Sequence, residues 1–166
     1  MTDMLKQKCQ KIKLLVTDVD GVLTDGGIIY NDTKVETKQF NVKDGYICKY
    51  LLNSGIKLGI ITGRSSKVVQ HRAEELRFSF IYQGIDDKLQ KLKQIQSEEN
   101  LLPDEIAYIG DDLNDLEILK YVGLSAAPAD AFDYVTSEVD YICKRNGGEG
   151  AFREFADLIL KFRTNE

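Results

Sequence analysis

Short apolar runs in this chain are separated by stretches of helical periodicity, and that alternation restricts the fold more than any other feature. Ile12–Val16, Lys57–Ile61, Phe80–Tyr82, Ile106–Ile109 and Leu124–Ala126 are too short for buried helices and dense in aliphatic residues. Near-continuous apolarity suits strands covered on both faces, as in a parallel sheet. Between them the spacing predicts helices over Asp44–Asn53, Ser65–Leu76, Lys88–Glu98 and Asn114–Val122, a short one at Asp130–Thr136, and a closing one at Ala151–Phe162. In that last segment Phe152, Phe155, Ile159 and Phe162 share one side. Tyr141–Cys143 reads as an edge strand, and RNGGEG, residues 145–150, as a flexible loop. Strands joined through helices imply an α/β fold, a doubly wound parallel sheet with helices on both faces. One segment breaks the rhythm: Gly27–Tyr30 and Val35–Phe40 flank NDTK and predict a β-hairpin inserted after the first strand.

The length of 166 residues suits one domain, expected over 1–166 with the hairpin as a flap, and no linker, repeat or low-complexity tract interrupts it. Net charge is −5, which disfavours non-specific nucleic-acid binding and means that an anionic substrate needs local positive charge or a metal. No apolar run reaches the length of a membrane span. The N-terminal MTDMLKQKCQK lacks the apolar core of a signal peptide, so a cytoplasmic chain with neither membrane nor nucleic acid as partner is expected. Cys9, Cys48 and Cys143 are odd in number and far apart, as reduced thiols are. The single histidine, His71, excludes a histidine-rich zinc site and reads as an ordinary helical position in SSKVVQHRAEEL. Chemistry is left to carboxylates, lysines, arginines and hydroxyls.

Four clusters offer such chemistry, and ligands of doubly wound sheets sit beyond the carboxyl ends of the strands. The first is DVDG after Ile12–Val16. One aspartate there would be an ordinary turn residue; Asp18 and Asp20 two apart, followed by Gly21, can bind a hard cation through oxygen or divide into nucleophile and acid/base. Asp25, with Gly26 and Gly27, instead starts the hairpin. The second is ITGRSS, residues 61–66. Ser65 is explained as a helix cap, whereas Thr62 stands at a strand end where a hydroxyl and backbone N–H groups cradle a phosphate. The third is Lys88, a cation at a helix start, where it opposes the helix dipole unless an anion lies beside it. The fourth is YIGDDLNDL, residues 108–116. Capping explains one of Asp111, Asp112 and Asp115; together with Asp18 and Asp20 the cluster points to a shared divalent metal.

Taken in order, DVDGV, a strand-end threonine, a lysine and GDDLND resemble the haloacid dehalogenase-like phosphohydrolases from about Ile12 to the end of the chain. The resemblance implies Asp18 as the nucleophile that becomes an aspartyl-phosphate and Asp20 as the general acid, then base. It implies Thr62 and Lys88 on the phosphoryl oxygens, Mg²⁺ on Asp18, the backbone carbonyl of Asp20 and Asp111, and Asp115 behind them orienting Lys88 or metal-bound water. Asp20 fits phosphatases and mutases rather than dehalogenases. TDVDGVLTDGGIIYND, KQFNVKDGY, IITGRSS, YIGDDLNDL and GGEGAFRE narrow the resemblance to the capless, tetrameric branch that contains the phosphatases of 3-deoxy-D-manno-octulosonate 8-phosphate. There is no cap domain in that branch, and its hairpin packs against neighbouring subunits and roofs the site.

By the same resemblance the substrate, a small phosphorylated sugar acid, is met by Asp20, the loop Asn41, Val42, Lys43, Asp44 and Gly45, and by Lys49, Arg64, Arg72 and Lys88. Arginine forks suit its carboxylate; Lys49 stands where arginine is frequent, and fewer residues follow Arg153 than in many members. Phosphatases of 2-keto-3-deoxynonulosonate 9-phosphate carry a glutamate at the position of Arg64, so Arg64 favours the octulosonate, whose release feeds lipopolysaccharide synthesis. The alternatives are a nonulosonate 9-phosphate phosphatase and, in another class, a non-catalytic oligomerisation or regulatory module. Retention of Asp18, Asp20, Thr62, Lys88 and Asp111 speaks against the module.

Overall fold

The structure, a computed structural model, describes residues 3–163. Its sheet is built from β1 (Leu14–Thr17), β4 (Lys57–Ile61), β5 (Phe80–Tyr82), β6 (Ile106–Ile109), β7 (Leu124–Ala127) and β8 (Tyr141–Ile142). All neighbours pair in parallel, in the order β5-β4-β1-β6-β7-β8. The chain works outward in one direction from β1 and then in the other, so a topological switch falls between β1 and β6. The crevice at the carboxyl ends of these two strands is where such sheets hold ligands.

Side chains alternate along each strand, so each strand feeds two cores. Leu15, Leu58, Ile60, Ala107 and Ile109 point to one face with α1 (Asp3–Lys11), α2 (Val42–Asn53), α3 (Lys67–Glu75) and α7 (Ala151–Phe162), which contribute Cys9, Ile47, Leu51, Val69, Ala73, Phe152, Phe155 and Ile159. Leu14, Val16, Ile61, Ile106 and Tyr108 point to the other with α4 (Lys88–Glu98), α5 (Leu116–Tyr121) and α6 (Asp133–Thr136), which contribute Leu92, Ile95, Ile118, Leu119 and Val135. The fold is therefore the doubly wound α/β sheet with helices on both faces that the alternation predicts, and no cap domain is present among the described residues.

The hairpin after β1 is β2 (Ile29–Tyr30) antiparallel to β3 (Glu36–Thr37), shorter than its sequence suggests. The Asn31 side-chain amide oxygen organises its turn, accepting from the N–H groups of Thr33 and Val35 at 3.0 and 2.8 Å. Asp25 closes the turn before it, accepting from Gly27 N at 2.9 Å, the structural role its position suggested.

Several local expectations change. Helix α1 carries no clear sequence signal, because its polar faces dilute the apolar period; it docks through Cys9. The segment 41–45 is not a loop: Asn41 is the N-cap, accepting from Lys43 N at 2.9 Å, and Val42–Gly45 form the first turn of α2. Ser66, not Ser65, precedes α3. The start of the expected Asn114–Val122 helix is a 3₁₀ turn, Leu113–Asp115, capped by Asp112. The expected flexible loop at 145–150 is packed: Gly148 N donates to Val22 O at 2.9 Å, Gly147 N to Asp130 Oδ1 at 2.9 Å, and Asn41 Nδ2 to Gly148 O at 3.1 Å. Gly147 is required there, since a Cβ would lie 1.9 Å from the carbonyl oxygen of Gly21. All three cysteines are buried and unpaired, and His71 is exposed on α3.

Candidate active site

Register brings the strand-end clusters together. Thr17 at the end of β1 is level with Ile60 of β4 and Ile109 of β6. The next residues, Asp18 on the central strand, Thr62 beyond β4 and Asp111 beyond β6, therefore leave three neighbouring strands on one edge. The sheet supplies the anchoring: Asp18 N donates to Ile109 O at 3.0 Å and Thr62 N to Tyr82 O at 3.0 Å. Val19 N donates to Asp18 Oδ1 at 2.7 Å, orienting the carboxylate. Gly21, at φ 84°, then turns the chain away; a Cβ at this position would fall 2.0 Å from Asp111 Oδ2.

Lys88, the first residue of α4, reaches into this edge with only 1 % of its side chain exposed. Its Nζ lies 2.8 Å from Asp18 Oδ2 and 2.7 Å from Asp115 Oδ1. These carboxylates offset the unfavourable encounter of a cation with a helix N-terminus. Burial works against its ammonium, and the charges of Asp18 and Asp115 more than compensate, holding its pKa above the usual lysine value. Asp115, fully buried, also accepts from Tyr108 Oη at 2.5 Å through Oδ1 and from the N–H groups of Asp111 and Asp112 at 3.0 and 3.3 Å through Oδ2. Four donors occupy its oxygens, which makes it the orienter of Lys88 rather than a free ligand. Asp112 is consumed as a cap, accepting from Leu113 N at 2.7 Å and Tyr134 Oη at 2.6 Å.

Carboxylate oxygens of Asp18, Asp111 and Asp115 lie within 4.8 Å of one another. Burial, then the charge of Asp115, pushes Asp18 up to about 6. Burial, then the charges of Asp18 and Asp115, pushes Asp111 up to about 8. Asp111 Oδ1 is buried with no hydrogen-bond partner. An orphaned oxygen among crowded acids fits a hard divalent cation, which satisfies the lone pair and removes the repulsion. Asp18 and Asp111 have oxygens available for such an ion.

Asp20 faces a second charge cluster. Lys38, whose side chain is 1 % exposed, pairs with Asp20 Oδ1 and lies 3.4 Å from Glu36 Oε1. Arg64 Nε is 3.4 Å from Asp20 Oδ2, and its Nη2 donates to Glu36 Oε1 at 2.8 Å and Tyr30 Oη at 3.0 Å. Hydrogen bonds donated to Glu36 and Tyr30 hold Arg64 above the usual arginine value. Sequence reasoning missed Lys38 and Glu36. A signal existed: residues two apart on an extended run share a face, and Phe40 packs against the core, so Glu36 and Lys38 point inward while Thr37 and Gln39 are exposed.

The remaining candidates lie apart from this cluster. Asp44 is buried on α2, its Oδ1 accepting from Arg153 N at 2.7 Å and its Oδ2 unpartnered. Arg72 covers Gly45 so closely that a Cβ would meet its Nη2 at 2.2 Å, and it pairs with Glu75 at 2.8 Å. Lys49 lines a groove with Cys48, Leu52 and Arg77, and Lys43 a depression with Lys144, Arg145 and Arg153; neither includes Asp18, Asp20 or Asp111. Val42 is exposed.

A buried lysine clamped between acids at the carboxyl edge of a doubly wound sheet, with a second acid two residues past the first, defines a site for phosphoryl chemistry. The sequence profile described as haloacid dehalogenase-like hydrolase matches residues 79–155, and the chain belongs to that family. More particularly, it is 42% identical over 160 residues to the 3-deoxy-D-manno-octulosonate 8-phosphate phosphatase KdsC of Yersinia pestis, a match covering 96% of this chain and 86% of that protein. The crystal structure of that phosphatase from Yersinia pestis superposes with a TM-score of 0.96 at 41% identity, covering 98% of this chain and 88% of the other. The phosphatase from Moraxella catarrhalis, in complex with magnesium ion, phosphate ion and a KDO molecule, superposes with a TM-score of 0.96 at 44% identity, covering 98% and 94%.

Proposed function

We propose that this protein hydrolyses 3-deoxy-D-manno-octulosonate 8-phosphate to the free sugar acid and inorganic phosphate, with Mg²⁺ bound at the carboxylate cluster. The observation that carries this reading is the Asp18–Lys88–Asp115 clamp beside the orphaned Asp111 oxygen, in a chain so similar to phosphatases of that ester. Asp18 attacks phosphorus while the bond to the sugar oxygen breaks, and Asp20 delivers a proton to that leaving oxygen. Water then attacks the aspartyl-phosphate, Asp20 takes its proton, and Asp18 is released with inorganic phosphate. Thr62 and Lys88 hold the phosphoryl oxygens, and Asp115 keeps Lys88 aimed at them. Asp18, the Asp20 carbonyl and Asp111 would hold Mg²⁺, which would supply charge neutralisation for phosphate and carboxylates alike.

Arg64 reads the sugar acid within one chain, a role its position beside Asp20 supports. Asn41, Val42, Lys43, Asp44, Gly45 and Lys49, at the cap and along α2, and Arg72 on α3 gain a role in a homotetramer, where this α2–α3 region of one copy contributes to the site of the next. The exposed apolar residues Ile28, Ile29, Tyr30 and Val35 on the hairpin support such packing. The setting we assign is the cytoplasm, supplying the sugar acid for lipopolysaccharide; no described helix is long and apolar enough to cross a membrane.

The test is kcat/KM for octulosonate 8-phosphate and nonulosonate 9-phosphate side by side, with EDTA and Asp18→Asn as controls and the solution mass measured. Preference for the octulosonate, loss of turnover in both controls and a tetrameric mass are expected. The reverse preference reassigns the substrate. Absence of turnover on both esters by a folded protein assigns the non-catalytic module.

A further inference from the structure

We propose that Lys38, on the hairpin, is a positioning residue for Asp20: it takes one carboxylate oxygen so that the other is presented to the leaving group and then to water. The inference rests on the assignment of Asp20 as acid and base. Lys38 is the buried member of a four-charge group. Its Nζ pairs with Asp20 Oδ1 and lies 3.4 Å from Glu36 Oε1, while Arg64 bridges from the far side, 2.8 Å from Glu36 Oε1 and 3.4 Å from Asp20 Oδ2. Two acids balance two bases, so no charge in the group is left over. The oxygens of Asp20 differ in consequence. Oδ1 is committed to the ammonium, whereas the Arg64 Nε approach to Oδ2 does not meet hydrogen-bond geometry, leaving Oδ2 open to exchange a proton.

A lysine with 1 % of its side chain exposed needs a reason to be buried. Surface hairpins of two-residue strands do not bury lysines for stability, because an exposed ammonium is cheaper. β2 and β3 are themselves open to solvent, with Ile29, Tyr30 and Thr37 exposed. The hairpin is thus tied to the catalytic turn through the Lys38–Asp20 and Arg64–Glu36–Tyr30 contacts, and its placement and the orientation of Asp20 are one event. The partners of Lys38 Nζ are the Asp20 and Glu36 carboxylates, and it acts through Asp20.

The experiment compares the wild type, Lys38→Met, Lys38→Arg, Asp20→Asn and the Asp20→Asn/Lys38→Met double variant, with octulosonate 8-phosphate and p-nitrophenyl phosphate. Nitrophenolate leaves without protonation, so formation of the aspartyl-phosphate from that ester needs no acid, whereas its hydrolysis still needs a base. Lys38→Met is expected to show a burst of nitrophenolate stoichiometric with chains and then slow turnover. On the sugar ester kcat should fall about 10- to 100-fold, part of what a general acid contributes, with KM held within about threefold. Lys38→Arg should recover part of the loss. In the Asp20→Asn background the Lys38 change should cost nothing further, since residues acting through one another are not additive. An additive further loss, an unchanged kcat, or a first turnover of nitrophenyl phosphate slowed as much as that of the sugar ester would overturn the proposal. If Lys38→Met alone does not fold, the double variant, lacking both charges, decides by comparison with Asp20→Asn. A wild type that hydrolyses only nitrophenyl phosphate refutes the substrate while leaving the burst test intact. A wild type inactive on both refutes the catalytic reading itself.

Discussion

Lys88→Met is the sharpest probe of the site, because it removes a cation that two acids share without changing side-chain bulk much. In the parent, Lys88 Nζ lies 2.8 Å from Asp18 and 2.7 Å from Asp115, with side-chain exposures of 1 %, 8 % and 0 %. Removing one partner of a buried ion pair costs about 3–5 kcal/mol, since the survivors stay buried and uncompensated. Asp115 still holds the Tyr108 hydroxyl and two backbone N–H groups, and Asp18 still holds Val19 N. The lower end, about 3 kcal/mol, therefore applies to the metal-free protein. In a chain of this size that lowers Tm by about 6–12 °C. Melting is followed by circular dichroism in EDTA and repeated with Mg²⁺, which should narrow the gap by bringing positive charge to the same oxygens. At saturating Mg²⁺, kcat should still fall by about 10²–10³, the effect of losing one preorganised donor to the reacting group. A variant melting within about 2 °C of the parent in EDTA would refute the argument that Lys88 neutralises this cluster.

Gly147→Ala places a methyl group 1.9 Å from Gly21 O and 2.5 Å from Gly21 C, backbone atoms of the turn after Asp20. It should cost about 1–3 kcal/mol in urea unfolding and, by shifting Asp20, about 10²-fold in kcat; full activity would mean that the loop does not brace the turn. Asp44→Asn tests a pH dependence. Burial pushes Asp44 up to about 6 from 3.8, so the native state holds that proton more tightly than the unfolded chain does. Its contribution is therefore a penalty, absent below about pH 4 and complete above about pH 6, on the order of 3 kcal/mol. The variant keeps an oxygen for Arg153 N and escapes the charge, so it should gain on the parent as pH rises through that window. Urea unfolding at pH 4 and pH 8 checks it, and a parent that gains on the variant instead would contradict the sign.

How much of the site could be read in advance depended on whether a residue's neighbours in sequence were also its neighbours in space. Asp18, Asp20, Thr62, Lys88 and Asp111 each follow a strand or open a helix, and local pattern alone places them on one edge. Lys88 was legible as an anomaly, a cation at a helix start; what answers it in this structure is a pair of carboxylates. Lys38 and Glu36 were not legible, because lysine and glutamate in a hairpin are ordinarily solvated and their inward phase is set by Phe40 meeting the core. The packed state of residues 145–150 was likewise hidden. Glycines signal freedom in sequence, but here the lack of a side chain is what admits the backbone of Gly21.

The amino-acid order by itself determined the doubly wound sheet, since apolar runs of strand length joined by amphipathic helices have one economical way to bury both faces. It also determined the acid–threonine–lysine–acid sequence of the site, since each member is tied to the end of a regular element. Tertiary structure alone decided how those charges are shared. Distances between Lys88, Asp18 and Asp115, the orphaned oxygen of Asp111, and the pairing of Lys38 with Asp20 depend on contacts between residues 18 to 97 positions apart. Electrostatic interaction in a buried site varies with ångström separations and with the loss of water. Neither quantity is carried by the local pattern of a sequence.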